Sequence, residues 1–188
     1  MRINEIFYSI QGEGFFTGTP AIFIRFSGCN IKCDFCDTQH LSYKEMTEEE
    51  ILDEVRKYPA RHIVITGGEP SIQITSSLID KLHDEEFFVQ METNGSISLP
   101  EGCNIDWITC SPKHIKVVLD KIDEIKVVYQ NQDISQYEHL KAKEYRLQPC
   151  DTGNKDDNAK NLRETIDYIL KHPKWHLSLQ THKMINVR

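Results

Sequence analysis

Seven short apolar or β-branched runs recur along the chain, at residues 21–26, 62–66, 87–91, 107–110, 124–129, 145–148 and 175–179, most of them closed by a polar break. Helical patterns separate several of them. Thr47 and Glu50 form a capping-box signature ahead of Ile51, Leu52 and Val55, residues 71–83 carry Ile72, Leu78, Ile79 and Leu82, and residues 156–171 carry Leu162, Ile166, Ile169 and Leu170. Strands alternating with helices predict right-handed βαβ units and a mainly parallel α/β sheet. Residues 94–107 and 130–144 lack helical periodicity. A closed eightfold barrel typically needs about 250 residues. The expectation is therefore an incomplete, partial βα barrel with shortened helices.

In such sheets ligands gather at the carboxyl ends of the strands. There the chain places Gly28 and a cysteine loop, then Gly67-Gly-Glu-Pro70, Glu92-Thr-Asn-Gly95, Ser111-Pro-Lys113 and Gln148-Pro149. A cofactor lying across that edge accounts for all of these segments together.

The cysteine loop is C-x3-C-x2-C: Cys29, Cys33 and Cys36. Three thiolates so close in sequence can converge on one metal centre. A four-iron cluster is normally held by four cysteines, so three leave one iron open to a small molecule. A structural zinc site is the alternative, with His40 as fourth ligand. A disulfide framework fits poorly, because three local cysteines cannot pair off and no secretory h-region is evident. Cys103, Cys110 and Cys150 lack such spacing and read as buried thiols.

A net charge of −7 argues against a nucleic-acid partner, and no apolar run approaches the ~20 residues of a membrane span. A single domain over residues 1–188 and a cytoplasmic, reducing location are expected. Two other features stand apart from ordinary strands and turns. Gln11-Gly-Glu-Gly14 brackets a carboxylate with glycines, which allows close backbone approach or a sharp turn. Arg25 interrupts an apolar strand, where a guanidinium is costly unless it is paired, with a ligand carboxylate or with an acidic residue of the chain.

The cysteine spacing with aromatic Phe35 before the last cysteine, followed by Gly67-Gly-Glu-Pro70, resembles the radical S-adenosylmethionine (SAM) superfamily. The resemblance implies a [4Fe-4S] cluster on Cys29, Cys33 and Cys36, whose open iron chelates SAM and whose electron yields a 5′-deoxyadenosyl radical. Gly67, Gly68 and Glu69 would then hold the methionyl amine. Ser111, Pro112 and Lys113 would meet the SAM carboxylate or ribose, and Gln148, Pro149, Cys150 and Asp151 the ribose–adenine end. Phe35 and Asp37 would flank SAM from the cysteine loop.

A closer resemblance, over essentially the whole length, is to the 7-carboxy-7-deazaguanine synthase family of queuosine and 7-deazapurine biosynthesis. It is carried by the segment from Phe7 to Gly14, Arg25, Cys36-Asp-Thr38, Thr66 to Pro70 and Gln180-Thr-His-Lys183. It implies conversion of 6-carboxy-5,6,7,8-tetrahydropterin to 7-carboxy-7-deazaguanine with loss of ammonia. Glu13, with Ile10, Gln11 and Gly12, would accept the donor edge of the pterin, and Arg25 would take its carboxylate. Thr66, His182 and the Arg188 carboxylate would complete the substrate contacts, and Thr38 would ligate Mg2+. A flavodoxin or ferredoxin reductant and a homodimer are implied as well. A radical-generating activase of a partner protein shares the cysteine spacing but would not need Gln-Gly-Glu-Gly or Thr-His-Lys. A zinc or iron–sulfur electron-carrier module would bind no SAM.

Overall fold

Residues 1–33, 36 and 42–188 are described by the computed structural model. Strand β1 (Arg2–Ile10) runs antiparallel to β2 (Pro20–Phe26), and a two-residue β3 (Lys44–Glu45) pairs with the outer edge of β1. From β2 the sheet continues in parallel and in chain order. It adds β4 (His62–Gly67), β5 (Phe88–Thr93), β6 (Trp107–Cys110), β7 (Glu124–Tyr129), β8 (Glu144–Pro149) and β9 (His176–Leu177). The order never reverses, which is barrel-like progression rather than double winding. Among the described residues the sheet stays open, with β3 and β9 as its edges.

Each predicted run is a strand, but the sequence reading had no strand at β1, where polar residues alternate with Ile3 and Phe7. The last strand is shorter than expected. Trp175 turns into the core, and Ser178, just past the strand, donates from its backbone N to Leu147 O and from Oγ to Gln148 Oε1 at 3.0 Å.

Helix α1 (Glu48–Val55) begins at the expected capping box. Thr47 Oγ1 accepts from Glu50 N, and the Glu50 carboxylate accepts from Thr47 N. The helix expected over 71–83 is two pieces, a 3-10 turn at Pro70–Ile72 and then α2 (Ser76–Asp84). Glu69 caps the first piece and Thr75 the second, so Ile72 sits on the exposed turn instead of an apolar face. Helix α3 (Lys155–Lys171) starts on Asn154, whose side chain accepts from Asp156 N and Asp157 N. Its apolar row is not buried as expected: Leu162, Ile166 and Leu170 are exposed, while Tyr168 and Ile169 face the core. The sheet end beneath α3 is β8 and the two-residue β9, too little surface to cover the whole row. A four-residue helix, α4 (Thr181–Met184), follows β9. Residues 94–107 and 130–144 hold no α-helix among the described residues, only a 3-10 turn at Ser135–Tyr137.

Strand alternation gives the sheet two unlike faces. Ile22, Ile24, Ile63, Ile65, Val89, Met91 and Ile108 face α1 and α2 and form the main core with Ile51, Val55, Leu78 and Leu82. The opposite face carries Arg25, Thr66, Glu92, Lys126 and Gln148 around internal space. Ile65→Ala should lower the unfolding free energy by about 2–5 kcal/mol through the cavity it leaves. Loss of the capping hydroxyl in Thr47→Ala should cost about 1 kcal/mol. Denaturant titration of both variants checks this, and comparable losses would contradict the assignment of Ile65 to the core.

Candidate active site

The segment that follows β1 passes beneath the parallel strands. Phe15 stacks on Trp107 at 4.8 Å, and Phe16 packs edge-on against His62 and Phe88, so the segment reaches the starts of β4, β5 and β6. The Glu124 carboxylate, at the start of β7, accepts from Phe15 N, Trp107 Nε1 and Thr109 Oγ1. Gly12 and Gly14 are glycines for steric reasons. A Cβ on Gly12 would lie 2.1 Å from His182 Nδ1, and one on Gly14, at φ 71°, would lie 2.6 Å from Glu124 Oε1. The C-terminal segment closes over the same loop. Thr181 N and Oγ1 donate to Gly12 O, Gly14 N donates to Ser178 Oγ, and Gln180 Nε2 donates to Glu13 Oε1. Gln-Gly-Glu-Gly and Gln-Thr-His-Lys, far apart in sequence, are thus packed together.

At the opposite end of the strands, the loop after β4 pairs directly with the chain leading into the cysteines. Gly68 N donates to Phe26 O and Glu69 N to Gly28 O, each at 2.9 Å. A Cβ on Gly68 would stand 1.9 Å from Gly28 O, so side chains are excluded at this contact. The Glu69 carboxylate is fully buried and accepts from Ser71 N, Ser71 Oγ, Thr93 Oγ1 and Asn94 N. Its side chain therefore ties the β4 and β5 loops together instead of lining open space. Asn94 Nδ2 donates to Asn30 Oδ1, which anchors the cysteine loop to the same network.

Two adjoining cavities result. The upper one is bordered by Cys29, Cys33 and Cys36, by Gly67 and Gly68, and by Ser111, Lys113 and Gln148. Among the described residues no three Cys, His, Asp or Glu side chains converge on a single-ion position, and all three thiols border this cavity. Three thiols on one loop beside a side-chain-free backbone cradle suit an iron–sulfur cluster with a small molecule alongside. Burial, with Glu69 and Cys36 nearby, pushes the Cys29 thiol up. Pro112 faces a separate depression with His114, and Pro149, Cys150 and Asp151 border another with Lys183. Phe35, Asp37 and Thr38, like His40, lie outside the described residues. Cys110 and Cys150 are buried thiols as expected, whereas Cys103 is only half-buried, and burial pushes Cys110 up to about 12.

The inner cavity gathers all eight residues singled out for a substrate: Ile10, Gln11, Gly12, Glu13, Arg25, Thr66, His182 and Arg188. It shares Glu13, Thr66, Gly67 and Glu92 with the upper cavity, so the two communicate. One wall is cationic. Arg25 Nε donates to Glu5 Oε1 at 2.9 Å, the Arg188 guanidinium pairs with the same carboxylate, and both arginines lie over the Phe7 ring. Arg25 therefore does have an acidic partner within the chain. The Arg188 backbone oxygen accepts from Ser9 Oγ at 2.6 Å.

The floor is acidic and contains a residue the sequence reading missed. Lys126 Nζ donates to Glu13 Oε2 at 2.8 Å and to Glu92 Oε2 at 2.9 Å. Burial alone would raise the Glu13 carboxyl, but the Lys126 charge and hydrogen bonds from Lys126 and Gln180 outweigh it and hold the group at about 2. Burial, reinforced by Glu124 and Glu13, raises Glu92 despite Lys126. Burial opposes charge on Lys126, yet Glu13, Glu92 and Glu124 together push its ammonium up. The available signal was Glu124 and Lys126 at alternate positions of an otherwise apolar strand, which puts two charges on one buried face.

Comparison with known proteins agrees with this geometry. The Radical SAM superfamily profile matches residues 23–127. The whole chain is 56% identical to 7-carboxy-7-deazaguanine synthase of Bacteroides thetaiotaomicron, covering 98% of that protein. It is 38% identical to the 7-carboxy-7-deazaguanine synthase of Haemophilus influenzae, over 99% of this chain and 93% of that one. The crystal structure of QueE from Escherichia coli superposes with a TM-score of 0.78 at 32% identity, covering 95% of this chain and 92% of that one. The chain belongs to the radical SAM superfamily and, within it, to the 7-carboxy-7-deazaguanine synthase family.

Proposed function

We propose that this chain converts 6-carboxy-5,6,7,8-tetrahydropterin to 7-carboxy-7-deazaguanine with release of ammonia, in 7-deazapurine (queuosine) biosynthesis. The observation that carries the reading is the inner cavity, with arginines on one wall, carboxylates on the floor, and an opening onto the thiol-lined cavity through Thr66 and Gly67. A carboxypterin has matching polarity, an acid at one end and an amino group with a ring N–H at the other.

Cys29, Cys33 and Cys36 would hold the cluster, and Gly67, Gly68, Ser111, Lys113 and Gln148 would surround SAM. When bound, these groups supply one-electron cleavage of a carbon–sulfur bond and with it hydrogen abstraction. The chain's own residues bind and orient. Arg25 attracts the substrate carboxylate through its guanidinium fork, and the Arg188 guanidinium adds charge to that wall, while a substrate contact to the Arg188 carboxylate belongs to this reading through the resemblance alone. Glu13 accepts from the amino edge, flanked by Gln11, and His182 closes the wall over Gly12. The Gly12–Phe16 segment crosses the lower end of the strands, where Phe15 and Phe16 pack on Trp107 and Phe88.

Mg2+ on Thr38, a flavodoxin or ferredoxin donor, a homodimer and a cytoplasmic location belong to this reading through the resemblance alone. The role of Pro112, Pro149, Cys150 and Asp151 toward SAM is likewise carried by the resemblance, since they border neighbouring depressions. The activase alternative gives no reason for Gln-Gly-Glu-Gly and Thr-His-Lys to meet at a cavity wall.

The test is anaerobic. Protein reconstituted with iron and sulfide, given SAM, Mg2+, a reductant and the carboxytetrahydropterin, should form 7-carboxy-7-deazaguanine by mass spectrometry, and none without SAM. Release of 5′-deoxyadenosine without that product would remove the assigned substrate. Glu13→Ala should keep the cluster spectrum and SAM binding while kcat/KM falls on the order of 100-fold, the loss of charge-assisted hydrogen bonds. Loss of the cluster in that variant would contradict its placement on the floor. Arg25→Lys should raise KM about tenfold with a smaller change in kcat, because an ammonium cannot reproduce the fork.

A further inference from the structure

Lys126 lies mid-strand in β7 with 4% of its surface exposed. Its ammonium bridges Glu13, on the loop after β1, and Glu92, on β5, at 2.8 and 2.9 Å. The second oxygen of each carboxylate accepts an amide: Glu13 from Gln180 Nε2 at 2.8 Å, and Glu92 from Gln90 Nε2 at 3.0 Å. Both carboxylates line both cavities, and Lys126 lines the inner one. Apolar packing of similar volume is often as stable as a buried ion triad, so the triad is poorly explained by stability. Its position beneath a ligand cavity points to function instead.

We propose that Lys126 is a positioning residue that clamps Glu13 and Glu92 as a paired acceptor, so that the floor selects heterocycles presenting an amino group beside a ring N–H. The inference rests on the functional reading above and deepens it. A heterocycle offering acceptors at that edge would face two buried carboxylates without donors, which is the kind of mismatch that rejects a ligand strongly.

The electrostatics support the geometry at Glu13, while burial raises Glu92 against the pull of Lys126. With Lys126 in place the Glu13 carboxyl sits at about 2, below the ordinary glutamate value, so its acceptor character is complete at neutral pH and is lost only as pH falls toward that value. Without Lys126, burial is opposed chiefly by Gln180 and His182, and the carboxyl rises. Among the described residues, the other charged groups near the triad include Glu124 on β7 and Lys113 after β6. Glu124 would add to the rise, and Lys113 would oppose it. A protonated Glu13 would then set a donor against a donor.

The test measures quenching of 6-carboxypterin fluorescence by the reconstituted, SAM-loaded protein from about pH 5.5 to about 8.5. Parent and variants are compared at each pH, which removes titration of the free pterin; Glu92, which Lys126 also lowers, rises together with Glu13 when the ammonium is removed, and its protonation acts in the same direction. Lys126→Met should lose affinity progressively toward acid, about tenfold or more across the range relative to parent, and Lys126→Arg should restore the parent profile. The double variant K126M/E92Q removes one cation and one anion, preserves charge balance for folding, and should show an acid-side loss of the same sign but smaller, because the repulsion from Glu92 is gone too. Variants whose affinity relative to parent is the same at every pH, reduced or not, would overturn the proposal and leave Lys126 a purely structural ion partner. A parent protein that fails to bind the pterin at all overturns the functional reading itself, and the proposal with it.

Discussion

The contact between the Lys126 ammonium and the Glu13 carboxylate joins two parts of the molecule that no ladder connects. Glu13 sits on the loop beneath the strands, Lys126 in the middle of β7, and their charges meet inside the sheet at 2.8 Å. Glu13 needs Lys126, because its carboxylate alone in that position would be a buried, uncompensated charge, whereas Lys126 also has Glu92. The contact fixes the height of the loop, and the loop fixes the C-terminal segment through Gly12 and Gln180. The ion pair thus acts together with the Phe15–Glu124 and Gly14–Ser178 hydrogen bonds to set the floor and one wall of the inner cavity.

The upper end is held by backbone rather than charge. The Gly67–Gly68 turn and the Phe26–Gly28 segment approach so closely that no side chain fits between them, and Glu69 fastens the next loop from within. A thiol-bearing rim set on such a cradle and a charged floor set on the triad face each other across the space shared by Thr66 and Gly67. Reactive chemistry above and recognition below are thus separate constructions on one sheet, in keeping with a radical enzyme whose protein mainly aims and shields.

Much of this was legible in the sequence for identifiable reasons. Apolar runs located all seven parallel strands because one face of the sheet is packed by helices, and the capping box at Thr47 and Glu50 located α1. Paired glycines marked both close approaches. What escaped depends on tertiary context. Strand β1 alternates weakly because its polar residues face solvent and the cavity, and Glu69 restarts the chain as a 3-10 turn where periodicity suggested one helix. The apolar row of α3 is real, but the sheet beneath it is too short to cover it. Lys126 reads as an ordinary strand charge and Glu92 as part of the polar break after the apolar run at 87–91, because nothing local says that both point into the same buried space as Glu13.

The central claim is that a substrate lies with its acid toward Arg25 and Arg188 and its amino edge toward Glu13 and Glu92. An anaerobic crystal structure of the cluster- and SAM-loaded protein with 6-carboxypterin tests it most directly. The account predicts carboxylate oxygens about 3 Å from the Arg25 guanidinium and the amino group at a similar distance from Glu13. A pterin bound in the reverse direction, or outside the inner cavity, would contradict it.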